Sequence, residues 1–462
     1  MTIKVYNTLH RKKEEFVPKK DKKVGIYVCG LTPYDYAHLG HAKTYVAFDV
    51  IMRYLEYRGY DVFYVQNVTD VEDKLINRAK EIDKNPLEIA DQFFKESLKD
   101  FDTLNIKRAD LYPLVSEHIE DIVKFISELI EKGYAYESDG NVYFSIETFE
   151  DYGKLSNQSI EDILSGARIS LDERKRNPVD FALWKKAKKD EIFWDSPWGK
   201  GRPGWHIECS VMSTKYIGVP LDIHGGAIEL AFPHHENEIA QSEARYNEQF
   251  VTYWLHTGVL TVEGEKMSKS LGNFTTIKDL LKTYNPLAVR LFLASIHYRS
   301  RADFSEESVE SAKKSLGRIH NAWRKIEDVL KNPGDGDNNF GDVVKKSRKD
   351  FEAAMDDDFN TPKGLAAYFD LIKEINKSAD SASKNQLLKA KKLFEDIGNV
   401  FGILRERKEE GLEEDLIQLI IDIRENAREK KDFEIADTIR ARLREIGIVL
   451  EDGEKTRWKK KL

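Results

Sequence analysis

The chain has 462 residues, 41% hydrophobic and 33% charged, which sets an expectation of about three globular domains with ample core material. No apolar run approaches the ~18 residues of a membrane span, the opening MTIKVYNTLHRKKEEF lacks the apolar core of a signal peptide, and two cysteines are too few for a disulfide scaffold, so no membrane is expected and the expected compartment is a reducing cytoplasm. A formal net charge of -8 is unexpected for a nucleic-acid binder, but the last residues read RWKKKL, a basic tail that suits either a local RNA contact or a solvated, frayed end.

Val24 to Cys29 reads as a short buried strand, β-branched and aromatic, bounded by charge and Gly. A helix is expected from about His38 to Tyr57, and a second strand from Asp61 to Val68. Strand, helix, strand in this order implies a parallel sheet. From about Tyr112 to Gly199 the character changes. GYAYESDGNVYFSI reads as a hairpin around Asp139-Gly140, and DSPWGKGRPGW reads as a loop, so this stretch is taken as an insertion in the sheet. The α/β pattern resumes with LDIHGGAIEL and a helix beginning near Pro233. After Ser305, a candidate N-cap, Val309, Ala312, Leu316, Ile319 and Trp323 recur at helical spacing. Thr361-Pro362 reads as an N-cap with Pro at the first helical position. Leu412, Leu416, Leu419, Ile420 and Ile423 open what reads as a small separate module.

Two segments carry chemistry. His38-Leu39-Gly40-His41 directly follows the first strand, where parallel sheets bind ligands. At a helix start both histidines face one way, beside free N–H groups and a positive dipole end suited to a polyphosphate. Gly40, without a Cβ, would admit a planar base. Taken alone, two histidines at this spacing also suit capping or the surface. GEKMSKSLGN is a basic, Gly-flanked loop in which Lys266, Lys269 and two hydroxyls could follow phosphate oxygens.

HLGH and KMSKS resemble the two signatures of class I aminoacyl-tRNA synthetases. YVCGLTPYDYAHLGHAKTYVAFDV, NVTDVEDK, GWHIECS, FPHHENEIAQSEA and AMDDDFNTP together resemble the cysteinyl-tRNA synthetases, over nearly the whole chain. Three positions depart from that family's usual pattern. Leu39 replaces Ile, Lys43 stands where Arg is common, and Glu229 where Asp is common. Glu229 bears on how a nucleotide ribose or a substrate amine is held.

His234 and Glu238 are four apart at an expected helix start and can face one point. With Cys29 and Cys209 they make a Cys₂HisGlu set whose thiolates and imidazole favour Zn²⁺ over hard cations. Read without the family, two cysteines so far apart are more often small buried apolar side chains than ligands. The resemblance implies that these four residues bind one zinc per chain. It also implies that Thr69 and Trp205 line the substrate pocket, although an indole beside a metal ligand also suits a core.

The architecture so implied is α/β: a Rossmann-like parallel-sheet catalytic domain with an insertion, then an α-helical bundle and a small anticodon-binding module. The expected limits are residues 1–111 and 200–250 for the two catalytic halves and 112–199 for the insertion. Residues 251–304 form a stem-contact region bearing KMSKS, 305–405 the bundle and 406–462 the module. The implied activity is a cysteine–tRNA ligase. Cysteine attacks the α-phosphate of ATP, taken with Mg²⁺, and the cysteinyl group passes to the terminal ribose of tRNA(Cys). His38, Gly40 and His41 would hold ATP, and Lys266 and Lys269 would meet the charge developing toward pyrophosphate. A monomer is expected. The alternative is a related ligase that acylates an amino sugar in thiol-cofactor synthesis; it would share both signatures and lack the C-terminal module. In that module, Trp458 suits either stacking on an unpaired base or packing in a turn.

Overall fold

The computed structural model describes residues 2–159, 173–189, 191–266, 275–336, 339–404, 412–451 and 457–460. The chain forms two compact units, Met1–Leu404 and Arg405–Leu462. At the centre of the first is a four-stranded sheet in the order Val251–Thr257, Leu221–Ala227, Lys23–Leu31, Asp61–Val68, every pair parallel. The chain runs from Lys23–Leu31 outward to Asp61–Val68, then crosses back to Leu221–Ala227 on the other side. The strand order therefore reverses between Lys23–Leu31 and Leu221–Ala227, and the crevice at their carboxyl ends is where such sheets bind ligands.

Alternation along strand Lys23–Leu31 assigns its two faces. Val24, Ile26 and Val28 enter a core shared with helix Leu39–Tyr57, helix Pro286–Ala294 and the helices that follow. Tyr27 and Cys29 enter a second core, with helices Ile119–Glu131, Trp205–Tyr216 and Glu236–Tyr246 and an antiparallel sheet. That sheet runs Ala135–Ser138, Asn141–Phe144, Phe181–Lys186, Gly201–Pro203. The hairpin turns at Asp139 and Gly140, both at positive φ (50° and 75°), as its two-residue loop requires. Gly201–Pro203 falls inside the run read from sequence as a loop. It forms an edge strand, where Pro203 lacks no partner because only one side is paired.

Helices Glu306–Val329, Phe340–Asp356, Thr361–Ser378 and Lys384–Phe401 make the bundle. Ser305 caps the first of them, in a capping box with Ser308. The cap at the third is Asn360 rather than Thr361: its side chain accepts from the Lys363 N–H, and Pro362 still occupies the first turn. Arg290, fully buried, joins the bundle to helix Leu39–Tyr57 and to the turn at Leu104 and Asn105. It donates to the carbonyls of Phe401 (2.6 Å), Leu104 (3.1 Å) and Asn105 (2.8 Å) and pairs with Asp49 on helix Leu39–Tyr57. Gly402, at φ 64°, has no room for a side chain, since a Cβ would lie 2.3 Å from that guanidinium.

The second unit has its own small core, Ile417, Ile421, Leu443, Ile448 and Leu450. Trp458 packs against this core, which favours the packing role among those open to it. Leu416, Leu419 and Ile423, read from sequence as one apolar set, lie on the exposed side of helix Leu412–Glu429. Among the described residues no helix is long and apolar enough to cross a membrane.

Candidate active site and metal centre

Four elements converge on the crevice. Cys29 ends the first strand's apolar run, next to a register irregularity between Val28 and Leu31. Gly30 is required there, because a Cβ would fall 1.5 Å from the Asn67 carbonyl oxygen, and its N–H donates to Asn67 Oδ1 at 2.7 Å. Cys209 lies in helix Trp205–Tyr216. His234 stands in the turn 231–235 and Glu238 in the first turn of helix Glu236–Tyr246.

The four side chains are buried, and their ligand atoms all lie within 4.8 Å of one another. The two sulfurs are 3.7 Å apart, Cys29 Sγ is 3.8 Å from Glu238 Oε1, and His234 Nε2 is 3.1 Å from the same oxygen. Tetrahedral bonds of ~2.3 Å to sulfur and ~2.0–2.1 Å to nitrogen or oxygen imply edges of about 3.8 Å between sulfurs and about 3.3 Å between the lighter atoms. The cage thus has the dimensions of a tetrahedral metal site. Burial pushes both thiols and the Glu238 carboxyl up and His234 down, so the donor set is kept largely neutral until a cation offsets that cost. A second set, Cys29, His224, His235 and Glu238, is equally compact. It has one sulfur, and its His224 Nε2 already contacts Glu238 Oε2 at 2.7 Å, so the two-sulfur cage is the better soft-metal site.

A layer of histidines supports the cage. His206 Nδ1 meets His234 Nδ1 at 3.0 Å, leaving Nε2 of His234 for the metal. His224 holds the other Glu238 oxygen. His235 lies 3.2 Å from Cys29 Sγ and passes contact to His256 at 2.8 Å, which reaches Thr8 at 2.8 Å. Such partners fix ligand tautomer and orientation. Sequence reading missed His206, His224, His235 and His256. The signal was the histidine distribution: with His234 they make five of the chain's eleven, all between His206 and His256, the stretch that also holds three of the four ligands.

Trp205 stacks on His234, with ring centroids 4.4 Å apart and planes at 27°, while 39% exposed. Thr69 is buried one residue beyond the Asp61–Val68 strand. Its hydroxyl donates to Glu208 Oε2 (3.0 Å) and accepts from Asn67 Nδ2 (3.1 Å). Asn67 in turn lies 3.7 Å from Cys209 Sγ. Both expected pocket residues therefore border the cage.

His38 is the N-cap of helix Leu39–Tyr57. Its Nδ1 accepts from the Gly40 N–H (3.1 Å), its own N–H donates to His41 Nδ1 (3.2 Å), and the two rings stack at 3.7 Å. The capping and ligand-facing readings are thus compatible: each Nδ1 serves the cap. The segment after the KMSKS loop is stitched to this turn, with Leu39 N–H donating to Thr275 O (3.2 Å) and Ile277 N–H to Ala37 O (2.8 Å). Lys266 closes strand Glu265–Lys266, and Lys269 lies outside the described residues. Of the departures, Lys43 is buried, donates to the Tyr298 carbonyl (3.3 Å) and is pushed down to about 8 by burial. Glu229 is exposed, just beyond strand Leu221–Ala227.

A family model for the class I (C) tRNA synthetase catalytic domain matches residues 15–314, and one for the DALR domain matches 350–405. The cysteine–tRNA ligase of Thermococcus gammatolerans is 51% identical, covering 100% of this chain and 99% of that relative. That of Sulfurihydrogenibium is 48% identical, with 100% of both covered. This chain belongs to the cysteine–tRNA ligase family. The family's wider fold is shared with the Mycobacterium tuberculosis methionyl-tRNA synthetase in complex with methionyl-adenylate. That structure superposes with a TM-score of 0.60 at 15% identity, over 82% of this chain and 90% of that one.

Proposed function

We propose that the chain activates cysteine with ATP and transfers the cysteinyl group to the terminal ribose of tRNA(Cys), in the cytoplasm and as a monomer. The observation that carries this reading is the two-sulfur cage at the strand-order reversal, with the His38–His41 turn following the strand that supplies Cys29. Zinc bound there would offer the substrate sulfur a soft ligand site, which an alcohol of the same shape fills poorly. An apolar pocket alone would separate two such near-isosteres only about 10²-fold.

The chain's own groups do the rest. Cys29, Cys209, His234 and Glu238 would hold the metal, and Trp205 and Thr69 would wall the space beside it. Thr69 commits its one proton to Glu208, so toward a substrate ammonium it presents an acceptor. His38, Gly40 and His41 place ATP, taken with Mg²⁺, at a helix N-terminus. The cysteine carboxylate attacks the α-phosphate in line, and Lys266 and Lys269 offset the charge passing to pyrophosphate. No side-chain nucleophile is used. Residues 1–111 and 200–250 perform this step around the insertion 112–199, and 251–304 bring up the KMSKS loop. The bundle, residues 305–405, and the module, 406–462, extend toward the anticodon end. The DALR match at 350–405 favours a tRNA-facing role for the end of the bundle as well as the module.

The test is cysteine-dependent ATP–pyrophosphate exchange followed by charging of tRNA(Cys) transcript. Both are expected. Exchange without charging, accompanied by acylation of an amino sugar, would replace this reading with that of the amino-sugar ligase.

A further inference from the structure

The segments NVTDVEDK and GWHIECS meet beside the cage, and the activity reading uses only part of each. Asn67 lies at the end of strand Asp61–Val68 with Thr69 just beyond it, and Glu208 precedes the ligand Cys209 in helix Trp205–Tyr216. All three are buried. Their side chains form one directed chain. The Gly30 N–H, which can only donate, reaches Asn67 Oδ1 at 2.7 Å. That contact fixes which way the Asn67 amide faces, and its Nδ2 donates to Thr69 Oγ1 at 3.1 Å. The Thr69 hydroxyl in turn donates to Glu208 Oε2 at 3.0 Å.

Glu208 is the costly member. It is fully buried, and its Oε1 has no hydrogen-bond partner among the described residues. An apolar side chain in its place would avoid that desolvation, so a carboxyl here needs a reason. Burial pushes the carboxyl up. A proton on it would take the partnerless Oε1, and Oε2 would still accept, so the direction of the chain is the same in both forms.

A hydroxyl has one hydrogen and two lone pairs. With the hydrogen given to Glu208 and one lone pair to Asn67, Thr69 has one lone pair left and no hydrogen to offer. The chain starts beside a metal ligand, since Asn67 Oδ1 is 3.7 Å from Cys209 Sγ. The ammonium of cysteine is three bonds from its sulfur, so a sulfur held at the cage carries the ammonium into this neighbourhood. Resting on the activity reading above, we propose that Glu208 is a positioning residue for the substrate ammonium: it makes Thr69 an obligate acceptor and so selects thiols that carry an α-amino group.

The test uses the full-length protein, loaded with zinc and free of ATP, in calorimetric titrations with cysteine and with 3-mercaptopropionate. The second ligand keeps the thiol and the carboxylate and lacks the ammonium. The unsubstituted protein should prefer cysteine by about tenfold or more, the worth of one hydrogen bond to a charged group. Glu208→Met keeps the side-chain length and removes the acceptor. It should lose that preference through weaker cysteine binding, with 3-mercaptopropionate affinity held within about twofold. Thr69→Val should do the same, and the double variant should be no worse than either, because both remove one interaction. Glu208→Gln keeps an acceptor oxygen toward Thr69 and should retain the preference. Equal losses for the two ligands in Glu208→Met would mark a structural role and overturn the proposal. So would a preference that survives in Glu208→Met or Thr69→Val, one lost in Glu208→Gln, or additive losses in the double variant. Failure of the activity reading is distinguishable, since cysteine-dependent exchange would then be absent before any residue is changed.

Discussion

The cage and the signature turn lie at neighbouring points of one crevice but are assembled in different ways. The cage draws its ligands from a strand, a helix, a turn and the start of another helix, all buried, and each ligand has a protein partner behind it. The His38–His41 turn is local: two histidines three residues apart cap their own helix and stack on each other. The join to Thr275 and Ile277 brings in a distant segment. This contrast matches the two tasks proposed for them. Telling sulfur from oxygen needs fixed distances to a metal, whereas phosphate chemistry needs charge that can meet a group as it moves.

Breaking the cage should have the largest effect. Cys209→Ser is expected to lose bound metal and to bring cysteine-dependent exchange to background, while circular dichroism keeps its helical signal. Full exchange in protein verified as metal-free by atomic absorption would refute the role given to the cage. Next comes the loop. Lys269→Ala should lower adenylate formation by roughly 10²–10³-fold, as loss of a charge aimed at the transition state does. The Michaelis constant for cysteine should barely change; a rise in that constant alone would make Lys269 a substrate-binding residue.

The supporting histidines sharpen the comparison. His206→Ala removes a partner of a ligand and no ligand, so metal affinity should fall by about 10–100-fold in chelator competition. Unchanged affinity would mean that His234 is oriented by Trp205 and the turn alone. The smallest effect belongs to the cap. His38→Ala should lower stability by about 1 kcal/mol in urea titration, and His38→Asn should restore it, because Asn caps well. Neither should restore turnover. If His38→Asn recovered both, His38 would serve the helix and not the phosphates.

The strand–helix–strand opening was legible because a strand buried on both faces is a short continuous apolar run and the next helix follows at once. The Asp139-Gly140 turn was legible from residues that tolerate positive φ. Gly201–Pro203 was not, since Gly and Pro mark loops and nothing local reports that a strand edge stands alongside. The cap at Asn360 was displaced by one residue because Thr361 and Asn360 are both good caps and only geometry chooses. In the site, the ligands came from family resemblance: nothing in the spacing of Cys29 and Cys209 says that they meet. The supporting histidines escaped notice because each contacts a residue on another element.

Arg290 has a consequence for protein engineering. Its guanidinium sits in a fully buried socket made of Asp49, the turn at Leu104 and Asn105, and the last turn of helix Lys384–Phe401. An unpaired buried cation costs several kcal/mol. The bundle is therefore not an interchangeable cassette. A chimaera that imports another synthetase's helices after Ala294 must also import a carbonyl at the site of Phe401 and a residue without a side chain at 402. Without both, Arg290 Nε would lose its acceptor or the guanidinium would be forced off Asp49, inside the same core that supports helix Leu39–Tyr57.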